Sequence, residues 1–153
     1  MFFKTHLVIA LFFVLIFFNY ITNPIVSLPV VFLATLIPDI DNRFSKIGHK
    51  KIFRIFNFFV KHRGIIHSFS FLLIVSFFIF LFFKEILFAF VFGYSLHLLV
   101  DSLTVRGIMP FYPLKFRIKG KIKTGGFLET IFFISFLLID LFWIFSKIYL
   151  IVK

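Results

Sequence analysis

Long apolar runs dominate this chain and restrict it to folds that a lipid bilayer can surround. The sequence contains five of them, covering residues 7–18 (extendable to 21), 25–37, 65–83, 86–105 and 127–149. A helix that crosses a bilayer needs about 20 apolar residues, within a range of about 17–25. The last three runs meet this length. The first two are marginal, and Asn23-Pro24 between them is typical of a tight hairpin turn.

The composition supports the same interpretation. Hydrophobic residues make up 61% of the chain, whereas a soluble domain is usually about 45–50% apolar. We therefore predict an all-α fold, a polytopic integral membrane helical bundle of four to five transmembrane helices, organised as a single domain over residues 1–153. The N-terminal run lacks a small-residue cleavage site, so we interpret it as a retained first span and not as a signal peptide.

Basic residues collect in two of the connecting loops. Residues 38–64 and 106–126 hold most of the lysines and arginines, and the other connections carry almost no net charge. Because positive residues favour the cytoplasmic side, we predict a protein integral to the inner (cytoplasmic) membrane, with its N-terminus and both basic loops in the cytoplasm. Within these loops, residues 49–62 show the pattern of an interfacial amphipathic helix. Residues 116–126 show that of a small hairpin or strand pair.

Histidines and acids concentrate at one end of the predicted helices. In the predicted topology, the following residues all lie at the cytoplasmic end of an apolar run: His6, Asp39, Asp41, His62, His67, His97, Asp101 and Glu129. His97 and Asp101 are one helical turn apart, so they share a face of one helix. Asp39 and Asp41 can both reach one site only where the backbone is irregular, as after a helix end. Ionisable groups in a membrane protein's spans are candidates for function.

A shared metal site would explain this convergence. The chain has no cysteine, so a metal would be held by imidazole and carboxylate groups, a set that suits zinc best and also manganese or iron. Carboxylates clustered without a cation would repel one another. We therefore predict that all of the residues named above are metal ligands. Asp39 or Asp41 would also orient or deprotonate a bound water.

Simpler explanations exist for single members of this set. His97 and Asp101 alone could form an interhelical hydrogen bond, and the aspartates of the Pro-Asp-Ile-Asp segment could bond to backbone amides at a helix end. His49 fits an ordinary interfacial histidine. Arg63 either follows the positive-inside bias or binds a phosphate beside the metal, since a guanidinium matches phosphate oxygens two at a time. Asp140, more than half-way along the fifth run, has no predicted role.

The motifs resemble a known family. Thr5-His6, PDID at 38–41, HRGIIHS at 62–68, and HLLVDSLT at 97–104 followed by FYP at 111–113 look like the YdjM-type predicted membrane-bound, metal-dependent hydrolases. TGGFLE at 124–129 is similar to a less well-defined position of that family. The family has been linked to the zinc-dependent phospholipase C and P1 nuclease superfamily, all-helical enzymes that bind a multinuclear zinc cluster and cleave phosphodiesters. The resemblance thus implies a helical domain whose histidines and aspartates hold metals. This chain differs from the soluble enzymes by its spans, and its N-terminal amine is not evident as a ligand.

Three functions are compatible with these features. The leading hypothesis is a membrane-bound metal-dependent hydrolase, with Asp39, Asp41 and Arg63 as catalytic residues. Its basic loops are expected to contact membrane lipid and to attract an anionic lipid or phosphoester substrate. We expect no nucleic acid partner for this hydrolase. The first alternative is a metal or proton transporter, which would place ionisable groups near the bilayer midplane. The second is a non-catalytic membrane adaptor, whose basic loops bind nucleic acid or acidic proteins.

Overall fold

The computed structural model describes residues 1–21, 23–44 and 63–153, with side chains throughout these ranges except at 40–44, 63–64 and 151–152. The described chain is mainly helical. Its helices are α1 (Phe3–Phe17, continued by a 3₁₀ turn at Phe18–Tyr20), α2 (Pro24–Phe44), α3 (Arg63–Ile66), α4 (Phe69–Phe82), α5 (Lys84–Ser102) and α6 (Phe127–Val152). The predicted amphipathic helix over 49–62 lies outside the described residues.

The described helices confirm the predicted all-α membrane bundle. Three of them are long and apolar enough to cross a membrane, over Phe3–Tyr20, Lys84–Ser102 and Phe127–Leu150, and two shorter apolar helices cover Pro24–Asp39 and Phe69–Phe82. The lengths differ from expectation in two places. The first run, judged marginal, is long enough once the 3₁₀ turn extends α1. The third run, judged sufficient, gives only the short helix α4.

Helix α4 is short because it begins at Phe69 and not at Ile65. Ser68 has an extended backbone, and its hydroxyl accepts a hydrogen bond from the amide of Phe71 at 3.1 Å, which makes it a favourable N-cap. The amide of Phe69 donates to the carbonyl of Pro110 at 2.8 Å, so the helix start is attached to the loop after α5. A helix of 14 residues is about 21 Å long, less than the roughly 30 Å of a bilayer core.

Helix α5 lies at the centre of the bundle. It packs mainly against α2 and α4 and less against α1, while α6 packs against α1. The α2–α5 contact is close at Gly93, where a Cβ atom would collide with the carbonyl oxygen of Val31. The hydroxyl of Thr35 donates to the Val31 carbonyl at 2.8 Å and lies 3.1 Å from the Gly93 carbonyl oxygen. Buried apolar residues around this contact are Ala34, Leu72, Phe90, Tyr94, Leu98 and Ile108.

Helix α6 lies at the edge of the bundle. Only 6% of its most apolar stretch is buried, against 50% for α5. Its outward side chains include Phe142, Phe145 and Leu150, which suit contact with lipid. A buried carboxylate lies about midway along this helix. Asp140 is buried, and neither of its carboxylate oxygens forms a hydrogen bond with a described residue.

The loop between α5 and α6 contains no regular strand among its described residues. It is held by two isolated bridges, Thr104 with Ile122 and Ile108 with Ile118. The expected hairpin within residues 116–126 is therefore wrong, because this segment pairs with residues that directly follow α5 and not with itself. The pairing brings the basic part of the loop back to the end of α5.

Candidate metal centre

Five of the predicted ligands come from four parts of the chain and meet at one end of the bundle. His6 lies in the first turn of α1, Asp39 toward the end of α2, His67 in the turn before α4, and His97 and Asp101 in the last two turns of α5. Helix ends carry these residues because polar groups are costly deeper in the hydrocarbon. His6 and His97 are 1% and 0% exposed, so they are shielded from water.

The ligand atoms surround the carboxylate of Asp101. His6 Nε2 is 3.3 Å from Asp101 Oδ1. On the other oxygen, Oδ2, His97 Nε2 lies at 3.5 Å and His67 Nε2 at 3.7 Å. Asp39 Oδ2 is 3.9 Å from His6 Nε2. In each of two groups the ligand atoms all lie within 4.8 Å of one another: His6, Asp39 and His97, and His67, His97 and Asp101.

These separations match the distances expected around a metal ion. In a tetrahedral zinc site with bonds of about 2.0–2.1 Å, two ligand atoms lie about 3.3–3.4 Å apart. The observed distances of 3.3 and 3.5 Å agree with this value, and those of 3.7 and 3.9 Å exceed it slightly. The residues therefore fit a divalent cation with small adjustments of their side chains.

The hydrogen bonding of His97 is that of a metal ligand. Its Nδ1 lies 2.7 Å from the carbonyl oxygen of Thr35. A carbonyl only accepts hydrogen bonds, so Nδ1 carries the hydrogen, and in the neutral ring Nε2 then holds the free electron pair. This Nε2, like both ring nitrogens of His6, forms no hydrogen bond with a described residue. Buried polar atoms rarely lack a hydrogen bond. In metal-binding histidines, the N–H of the second ring nitrogen commonly donates to a carbonyl or carboxylate.

The imidazole rings pack directly on one another. His6 and His97 stack with ring centroids 4.0 Å apart and planes 12° from parallel. His67 meets His97 edge-on, at 5.4 Å between centroids. Charged imidazolium rings at this separation would repel one another. Metals bind imidazole in its neutral form.

Glu129 is placed beside the ligand groups and belongs to neither of them. Its Oε1 accepts hydrogen bonds from the amide of Phe2 and, at 3.0 Å, from the hydroxyl of Thr5. Its Oε2 accepts from the amide of Gly125 at 2.6 Å. These three donors occupy the carboxylate, so we interpret Glu129 as the residue that fixes the first turn of α1, where His6 lies. This hydrogen bonding does not support its predicted role as a metal ligand.

Three predicted residues cannot be compared with the cluster. His62 lies outside the described residues, and Asp41 and Arg63 lie in α2 and α3 at positions whose side chains are not described. The ligand roles of His62 and Asp41, and the catalytic roles of Asp41 and Arg63, stay predictions.

Two contacts at the centre carry no sequence signal. The amino group of Met1 forms an ion pair with Asp101 Oδ1, and no sequence pattern places the N-terminal amine there. The carbonyl of Thr35 that orients His97 is a backbone group, and no pattern of side chains identifies it.

A cavity of about 550 Å³ adjoins the cluster. Asp39, His67 and Asp101 line it, so predicted ligands from three parts of the chain face a space large enough for water or a small molecule. Arg106 and Arg117 also line this cavity. Sequence reasoning counted both only as loop charge. The position of Arg106, two residues after the HLLVDSLT motif, is the one signal that could have identified it.

This fold and this site define a polytopic helical membrane protein with a histidine–carboxylate centre at one end of its bundle. The chain belongs to the YdjM inner membrane protein family, whose model matches residues 1–152. The family resemblance of the motifs and the membrane location are thus confirmed, and the cytoplasmic orientation stays a prediction.

A curated relative extends this comparison. The chain is similar to the "Uncharacterized protein YvsG" of Bacillus subtilis (strain 168), with 33% identity over 105 residues. The match covers 65% of this chain and 66% of the relative, just under two thirds of the relative's length. No solved structure matches the chain.

Proposed function

We propose that this protein is a membrane-embedded metal-dependent hydrolase that acts on a phosphoester, such as that of an anionic membrane lipid, at the cytoplasmic face of the membrane. One observation carries the proposal. Imidazole nitrogens and carboxylate oxygens from four parts of the chain lie 3.3–3.9 Å apart beside a cavity. The metal would be zinc, with manganese or iron as alternatives.

The residues of the centre would divide the work. His6, His67, His97 and Asp101 would hold the cation. When bound, the cation supplies a water of lowered pKa and polarises a phosphoryl oxygen. Three imidazoles contact the carboxylate of Asp101. Its oxygens therefore have fewer free positions to accept a proton than those of Asp39. Asp39, which is half-buried and lines the cavity, is the carboxylate that can orient a water and accept its proton.

Charge supports an anionic substrate and a cytoplasmic site. The loop at this end of the bundle holds six basic residues between 106 and 126: Arg106, Lys115, Arg117, Lys119, Lys121 and Lys123. Positive loops favour the cytoplasmic side. They also attract the anionic headgroups of that leaflet.

The depth of the site favours chemistry over transport. A transport site is expected near the bilayer midplane, between broken helices. The candidate ligands lie instead at helix ends and in a turn, and they open into a cavity at that same end.

The test combines metal analysis with an assay of hydrolysis. Purified protein would be loaded with zinc and given bis(para-nitrophenyl) phosphate or phosphatidylglycerol vesicles. We expect hydrolysis that a chelator abolishes. Asp39→Asn would lower the rate by about 10²–10⁴-fold, the usual contribution of a general base. Asp140→Asn is the matched control, since it makes the same change at a buried carboxylate of α6.

Three outcomes would count against the proposal in different ways. Zinc-loaded protein that is no more active than its Asp39→Asn variant would contradict hydrolysis. Protein that binds no metal would contradict the site. Zinc uptake into proteoliposomes that His97→Ala abolishes would favour the transporter.

A further inference from the structure

We propose that Arg106 and Arg117 form an anion subsite that binds the phosphate group of the substrate beside the metal centre. The inference rests on the proposed function, because the phosphate would lie between the two guanidinium groups and the bound cation. The subsite is independent of Arg63, whose side chain the structure does not describe.

The two arginines share the cavity with the candidate ligands. Arg106 and Arg117 line the same space as Asp39, His67 and Asp101. Both are exposed. Neither forms an ion pair or a side-chain hydrogen bond with another described residue, so no protein carboxylate in the described chain competes for them. Guanidinium groups in this state are available to a ligand.

The backbone directly after α5 holds Arg106 close to the metal centre. Thr104 Oγ1 donates to the carbonyl of Asp101 at 2.7 Å and accepts from the amide of Gly107 at 3.1 Å. The chain therefore turns sharply within a few residues of a candidate ligand. Gly107 has a φ of 60°, a conformation that glycine adopts without the penalty other residues incur.

The returning segment of the loop holds Arg117 beside it. Ile118 exchanges both backbone hydrogen bonds with Ile108, at 2.9 and 3.0 Å. A side chain at Gly107 would collide with the backbone of Ile118, so the two segments are in close contact. The residues next to this contact are Arg106 on one segment and Arg117 on the other. Two parts of the loop thus place guanidinium groups on one cavity.

The balance of charge leaves room for an anion. The carboxylates of Asp39 and Asp101 contribute two negative charges to the cavity wall, and one divalent cation offsets both. The charges of Arg106, Arg117 and the Met1 amino group, which pairs with Asp101 and also lines the cavity, then remain, and they favour an anion such as a phosphate group. Arginine binds phosphate through paired, charge-assisted hydrogen bonds. The volume of about 550 Å³ falls within the roughly 300–1,000 Å³ typical of ligand pockets.

The test is the affinity of the zinc-loaded full-length protein for inorganic phosphate, measured by calorimetry in detergent. We expect Arg106→Gln and Arg117→Gln each to weaken binding by about tenfold or more, because each removes a charge-assisted contact. Zinc content should not change. Lys119→Gln and Lys121→Gln are the matched controls. They remove the same charge from the same loop at exposed positions that do not line the cavity.

Arg106→Lys separates charge from geometry. It keeps the positive charge and loses the planar fork, so its affinity should fall between those of the wild type and Arg106→Gln. If Lys119→Gln and Lys121→Gln weakened phosphate binding as much as Arg106→Gln and Arg117→Gln, the inference would be overturned, because binding would then reflect loop charge alone. Loss of zinc from the arginine variants would also overturn it. A wild-type protein that holds no zinc would instead overturn the proposed function.

A competition experiment identifies the source of the phosphate group. Phosphatidic acid in phosphatidylcholine nanodiscs and free glycerol phosphate would each compete with inorganic phosphate. Displacement by the lipid alone would assign the subsite to a headgroup, and displacement by glycerol phosphate would assign it to a soluble phosphoester. Displacement by neither would contradict a phosphate subsite.

Discussion

Two clusters of buried polar groups lie side by side at one end of the bundle, and their hydrogen bonding differs. Around Glu129, both carboxylate oxygens accept hydrogen bonds from backbone amides or a hydroxyl. Around Asp101, Nε2 of His97 and both ring nitrogens of His6 form no hydrogen bond with a described residue. Glu129, His6 and His97 are all buried.

The difference separates a structural cluster from a binding cluster. A buried polar group without a partner costs about 1–3 kcal/mol, and a cluster of them persists only where something else compensates. The Glu129 cluster needs nothing further, and it fixes the first turn of α1. In the Asp101 cluster the imidazole nitrogens face one carboxylate at the distances of metal ligands, and the proposed cation would supply the missing partner.

The largest effect is expected when the binding cluster loses a ligand. His97→Ala and Asp101→Asn should each lower zinc affinity by more than about a hundredfold, since changes to outer hydrogen bonds alone cost about 10–100-fold. Zinc content after dialysis, measured by mass spectrometry, checks this. Leu99→Ala, on the exposed side of the same helix, is the control. Full zinc content in both ligand variants would remove the distinction between the two clusters.

A smaller loss is expected when the support of a ligand is displaced. In Gly93→Ala the new methyl group would collide with the Val31 carbonyl and push α2 away from α5. The Thr35 carbonyl that orients His97 would move with α2. We expect zinc affinity to fall by about 10–100-fold and the free energy of unfolding by about 1–3 kcal/mol. Lower stability with unchanged zinc affinity would show that the Thr35 contact does not support the ligand.

The structural cluster should respond in stability more than in zinc binding. Glu129→Gln leaves one of three donors facing an amide nitrogen that cannot accept. The free energy of unfolding should therefore fall by about 1–3 kcal/mol, with a smaller loss of zinc affinity than in His97→Ala. Chemical denaturation in detergent measures it, and exposed Glu85→Gln is the control. A loss of zinc as large as that of His97→Ala would make Glu129 a ligand after all.

The convergence of the site was predictable from sequence, and its supports were not. His97 and Asp101 share a helix face, and the ends of apolar runs that begin or finish on one side of a membrane must meet at one level. That argument also placed Glu129 at the right end. It could not show that the carboxylate is occupied, because the donors from Phe2 and Gly125 are backbone amides.

The loops set the other limit on prediction. The third apolar run ends early because Ser68 caps α4, a local feature that hydrophobicity does not report. Arg106 and Arg117 lie on separate segments of the loop. They come together because the Ile108–Ile118 pairing folds residues 116–126 back toward α5. The alternating apolar and basic residues of 116–126 correctly indicated backbone pairing. The partner is the segment that follows α5, and not another part of 116–126 itself.

The smallest effect is expected at Asp140. Its carboxylate oxygens also lack hydrogen bonds with described residues, but it belongs to neither group of candidate ligands. Asp140→Asn should therefore keep full zinc content and hydrolytic activity, measured beside Asp101→Asn. Loss of zinc in this variant would show that the absence of hydrogen bonds does not by itself identify the binding cluster.

The most direct test of the centre is X-ray absorption at the zinc edge of the purified, zinc-loaded protein. We predict a shell of nitrogen and oxygen atoms at about 2.0–2.1 Å, with the outer-shell scattering of several imidazoles that decreases in His97→Ala. Zinc without imidazole scattering, or a spectrum that His97→Ala leaves unchanged, would contradict the proposal that these histidines bind the metal.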